Sequence, residues 1–211
     1  MDTKNNIKNR IGRIKETHFF LRPAIVSALK NPLNPQARRL FLDSESYHEF
    51  WTKTFGDKFY DMGTFVRLGS EIEICLRDYY MEKKGYKNLT ELCADPRYKK
   101  GIFQRILPWQ TSSTDAISLF KDELGYNLNT NPHFITIQEL MLLRHLYAHN
   151  TGIIDDQFIK GYKDLKGEDV TLIPALGGGS YPDVDVYFFK PLNNLNDFIN
   201  RTEKFFIEFP D

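Results

Sequence analysis

Arg144, His145 and His149 are the residues of this chain whose types and spacing could do chemistry. They stand in the run Arg144-His145-Leu146-Tyr147-Ala148-His149-Asn150, at the end of a strongly apolar stretch. Arginine presents a planar, permanently charged fork that grips phosphate, and imidazole exchanges a proton near neutral pH. Those two groups are what is needed to hold a phosphodiester and move a proton beside it. The pairing points to chemistry on RNA without a metal.

The element that must position them runs from Ile135 to His149. Its apolar residues Ile137, Leu140, Met141, Leu142, Leu143, Leu146, Tyr147 and Ala148 surround most of a helical circumference, so the helix is expected to be buried on most sides. Its polar positions are Thr136, Gln138, Glu139, Arg144, His145 and His149. An arginine is rarely buried deeply unless it is paired or faces a cleft. At about 100° per residue, positions 144 and 149 lie roughly 140° apart, whereas 145 and 149 share one face. Arg144 and His149 therefore meet one ligand only through the reach of the arginine stem at a helix end. Asn150, Thr151 and Gly152 supply such an end. There His149 meets the negative end of the helix dipole, which attracts a cation.

Two plainer readings compete. Arg144 can be a core arginine satisfied by Glu139 or a helix carbonyl, with the histidines closing a helix. Histidines four apart can also be half of a zinc site, with Asp155, Asp156 or His133 as third ligand. The metalloprotease pattern needs a glutamate directly after the first histidine, and Leu146 stands there. No metal and no cofactor are expected.

The stretch from Leu143 to Asp155 resembles the signature of HEPN domains, helical bundles whose motif is an arginine followed by four to six residues and a histidine. His145 fits the polar slot after the arginine, and His149, Asn150, Gly152 and Asp155 match the bacterial continuation His-Asn-x-Gly-x-x-Asp. The match covers about 13 of the 211 residues. The resemblance implies a metal-independent endoribonuclease with Arg144, His149 and His145 as catalytic residues in a cleft shared by a homodimer. It implies Asn150 as a supporting residue and a long preceding helix packed beside the motif, from which Glu73 could orient Arg144. A toxin or defence role with an antitoxin or regulatory partner, or a silent module that binds nucleotide, RNA or protein, also comes with the resemblance.

Composition bounds the rest. A chain of 211 residues fits one domain and buries a real core. Its 28 basic and 28 acidic residues cancel, which speaks against broad non-specific nucleic-acid affinity and leaves room only for a local positive cleft. No apolar stretch reaches membrane-spanning length, and the first residues lack the apolar run of a secretion signal, so no membrane contact and a cytoplasmic location are expected. Cys75 and Cys93 do not make a disulfide framework, and Cys75 reads as a small core hydrophobe.

The expected architecture is mainly α: an antiparallel helical bundle over 1–211, with an amphipathic extension at 1–34, a β-hairpin insertion at 166–190 and a closing helix. Ile7, Ile11 and Ile14 are spaced for one helix face, and the nearby Lys4, Lys8, Arg10, Arg13 and Lys15 read as a solvated face. A short helix is expected from Ser44 to Phe55, and the longest from Lys58 to Lys84, closed by Gly85. Within it Glu73 and Arg77 are spaced to pair. Residues 86–110 read as irregular. There Arg97, Lys99, Lys100 and Arg105 interleave with Tyr98 and Phe103, a combination that can grip a backbone and stack a base. Ser112 or Ser113 should cap a helix ending at Gly125, and His133 or Thr136 should open the motif helix. A short helix follows from Ile154 to Leu165. Val170–Ile173 and Asp183–Phe189 read as strands joined across Gly177, Gly178 and Gly179, and Leu192–Phe209 as a last helix.

Overall fold

The computed structural model describes residues 3–30, 45–110, 115–150, 154–169 and 195–210. Among them are seven α-helices: α1 (Thr3–Lys30), α2 (Glu45–Lys84), α3 (Leu89–Ala94), α4 (Ala116–Leu124), α5 (Phe134–Asn150), α6 (Asp156–Lys166) and α7 (Leu195–Ile207). They form a helical bundle. α2 packs against α1 on one side and α5 on the other, α7 closes against α1 and α5, and α6 lies on α5. No strand occurs among the described residues. The two strands expected within 170–189 lie outside them, and the only described part of the expected hairpin segment, 166–169, is the end of α6 and the residues after it.

Apolar spacing explains the helices. Ile7, Ile11 and Ile14 are at most 2% exposed, so this part of α1 packs into the core of the bundle. α2 buries Phe65, Leu68, Ile72, Cys75 and Leu76, a stripe at helical spacing. It runs unbroken through Gly56, where the sequence suggested two helices. A glycine inside a helix costs only about 1 kcal/mol. Between α2 and α4 the chain is held by α3 and by 3-10 turns at Ile102–Gln104 and Pro108–Gln110. Asp115, not Ser112 or Ser113, caps α4, accepting from Ser118 N at 2.7 Å; both serines lie outside the described residues. His133 accepts the first backbone bonds of α5, as its position suggested.

The far end of the bundle is aromatic. Phe205 and Phe209 approach to 4.8 Å between ring centroids, and Tyr79 and Phe209 to 4.7 Å edge-on. Tyr79 Oη donates to the Pro210 carbonyl at 2.7 Å and Asn131 Nδ2 to the Phe205 carbonyl at 3.0 Å, which ties the C-terminal segment to α2 and to the turn before α5. Among the described residues no helix is long and apolar enough to cross a membrane.

Candidate functional site

The motif helix α5 changes character along its length. Thr136, Gln138 and Glu139 in its first half are as buried as its leucines. Gln138 donates from Nε2 to the Ile106 carbonyl at 2.6 Å, and Glu139 accepts from Lys166 Nζ at 2.8 Å. The last turn and a half is different: Arg144 is half-buried, and His145, Ala148 and His149 are exposed. The helix therefore anchors its first half in the core and presents its polar end at the surface.

Arg144 reaches that surface across α2. A Cβ on Gly69 would stand 2.6 Å from Arg144 Cδ and 3.0 Å from its Cβ and Cγ. Only a residue without a side chain leaves a path there for the arginine stem. Neither carboxylate that the sequence offers takes the guanidinium. Glu139 is engaged by Lys166, and Glu73 accepts from Gln104 Nε2 at 2.8 Å. Glu73 is not paired with Arg77 either, because Arg77 turns to Asp78 at 2.9 Å. Arg144 Nε is buried and has no hydrogen-bond partner among the described residues. A buried donor left unpaired costs on the order of 1–3 kcal/mol, more when charged.

Arg144 and His145 open into one groove, walled by Gln104, Trp109 and Gln110 from the 3-10 turns, by Met141 and Leu146 of α5, and by Asp155 and Gln157 at the start of α6. Partial desolvation moves His145 below the ordinary histidine range, His149 and Arg144 add to that effect, and Asp155 opposes it. His145 is thus a neutral imidazole at pH 7, able to accept a proton. Asp155 also caps α6, accepting from Phe158 N at 2.7 Å. His149 lies beside His145 with centroids 4.7 Å apart and the rings tilted by 49°, outside the groove lining. Asn150 ends α5.

The basic segment after α3 is arranged otherwise. Arg97 is clamped by Asp95 at 2.7 Å and Glu123 at 2.7 Å, and this guanidinium holds the Asp95 carboxyl well below the usual carboxylate range. Phe103 is buried and Tyr98 packs on it at 6.2 Å, so the two aromatics face inward. Lys99, Lys100 and Arg105 are exposed, but the residue of this segment that reaches the groove is Gln104. Among the described residues no three His, Cys, Asp or Glu side chains are grouped to hold a metal. His133 instead lies 3.4 Å from Glu208.

Gly69, Trp109 and Asp155 are the parts of this site that sequence reading did not assign to it. Asp155 had a signal, as the last residue of the signature-like run. Gly69 and Trp109 had none, because their relevance depends on which helices become neighbours. No family model, curated protein or solved structure matches the chain.

Proposed function

We propose that this chain is a metal-independent endoribonuclease of the HEPN type. The observation that carries the reading is the guanidinium of Arg144, led across Gly69 into a groove, free of both candidate carboxylates and adjacent to a neutral imidazole. Arg144 holds the scissile phosphate and stabilises the charge that builds on its oxygens. His145 accepts the proton of the ribose 2′-hydroxyl. The 2′-oxygen bonds to phosphorus, the bond from phosphorus to the 5′-oxygen breaks, and His149 donates a proton to that leaving oxygen. The products are a 2′,3′-cyclic phosphate and a free 5′-hydroxyl, and each proton transfer contributes roughly 10²–10⁴-fold.

His149 stands outside the groove of its own chain, which favours a homodimer in which the second copy's His149 completes the cleft. The same observation favours a second reading, a catalytically silent module that binds RNA, nucleotide or a partner protein through Arg144 and His145. A toxin or defence effector, with an antitoxin to restrain it, is the biological setting that the resemblance suggests for the first reading. The readings separate on a defined RNA oligonucleotide, with the same oligomer bearing 2′-deoxyribose at every position as control. Cleavage of the RNA alone, leaving 2′,3′-cyclic phosphate ends, supports the nuclease. Binding of the RNA with no cleavage under any condition supports the silent module.

A further inference from the structure

We infer that Trp109 is a base-stacking wall of the Arg144 groove, so that the groove takes a nucleotide by its base as well as its phosphate. This deepens the reading of that groove as a phosphodiester site and rests on it. Trp109 lies in the 3-10 turn Pro108–Gln110, carries 39% exposure and lines the groove with Arg144 and His145. An exposed tryptophan lining the same groove as a half-buried arginine whose Nε has no hydrogen-bond partner among the described residues is a pairing that ordinary surface chemistry does not require.

The indole is fixed, not loose. A Cβ on Gly161 would stand 2.8 Å from both Cη2 and Cζ2 of Trp109, so the glycine in α6 lets the far edge of the ring seat directly on the helix. What remains exposed is held in place against the groove. A rigid aromatic plane loses little conformational entropy on binding, and every base has a face to lay on it.

The amides beside it complete the recognition. Gln104 Nε2 is taken by Glu73 at 2.8 Å, which leaves its carbonyl oxygen to accept. Gln110 Oε1 accepts from Leu107 N at 3.3 Å, which leaves its amide hydrogens to donate. With Gln157 also in its lining, the groove that holds the indole offers an acceptor, a donor and a cation at Arg144. That set matches a base edge joined to a phosphate, and it is poorly matched to a bare phosphate or a sugar phosphate.

The test uses the full chain carrying Trp51→Phe, so that Trp109 is the fluorescent indole. Adenosine 5′-monophosphate should quench the emission saturably, whereas ribose 5-phosphate should leave it unchanged and bind more weakly. Trp109→Ala, followed by calorimetry, should weaken nucleotide binding by about 5- to 150-fold, the equivalent of about 1–3 kcal/mol for one stacked base. Trp109→Phe gives up the Cη2 and Cζ2 contact with Gly161 but keeps an aromatic face at the groove, and it should stay within a few-fold of wild type, which separates stacking from a fold defect. Equal affinity for nucleotide and ribose 5-phosphate, or no binding of either, overturns the inference. Nucleotide quenching without any RNA cleavage sinks the nuclease and leaves the wall standing. RNA cleavage whose kcat/KM is the same in Trp109→Ala sinks the wall alone.

Discussion

Gly69 controls where the guanidinium of Arg144 can go, because the arginine stem fills the space that any side chain on α2 would occupy. Gly69→Ala must push the stem aside or part the helices, and a misplaced phosphate-binding group can cost about 10²-fold in rate. Gly69→Ala should therefore lower RNA cleavage about as far as Arg144→Ala while circular dichroism shows the helices retained; full activity would mean that the path across α2 is unimportant. His145 gives a pH prediction. Its imidazole titrates below the ordinary value of 6.5, so the proton-accepting form persists as pH falls through that value and is lost only beneath it. The acid limb of kcat/KM should lie below 6.5, and a limb centred at or above it contradicts His145 as the base. At this scale the sequence singled out the candidate side chains Arg144, His145 and His149 by type and spacing. It hid the groups that place them. Nothing local marks Gly69 as the crossing point of an arginine or Trp109 as the neighbour of Gly161, because both facts exist only once α2, α5 and α6 are packed.

The elements were more legible than the contacts between them. Isoleucines at 7, 11 and 14 announced a helix, and the apolar run from Ile137 to Tyr147 announced one buried almost all round, and both are as expected. The length of α1 and its place inside the bundle were not evident, since its outer face is rich in charge and a short amphipathic segment looks alike whether it is a wall or a tail. Ile11 is fully buried in α1, and Ile11→Ala should cost about 2–5 kcal/mol of stability, read as a lower denaturant midpoint with the slope unchanged. A change below about 0.5 kcal/mol, the size typical of surface substitutions, would return α1 to the status of an appendage. The continuity of α2 was hidden for a related reason. A glycine lowers local helix propensity, but burial of Phe65, Leu68 and Ile72 further along is decided by the whole bundle. The cap of α4 moved from serine to Asp115 because serine and aspartate both suit that position and only the packed turn selects one.

At the scale of the whole molecule, 28 positive and 28 negative charges leave no general attraction for a polyanion, and the loop arginine Arg97 is spent on Asp95 and Glu123. The proposed action on RNA therefore rests on the local groove to which Arg144 is led without pairing to Glu73 or Glu139. In the proposed homodimer a second copy of the chain would supply His149 to each groove. The most direct measurement is cleavage of mixed RNA by the purified chain in EDTA, run beside Arg144→Ala and His149→Ala. The account predicts cleavage by the wild type undiminished by the chelator and lost, by at least about 10²-fold, in both variants. Intact RNA with the wild type, or equal cleavage by all three proteins, contradicts it.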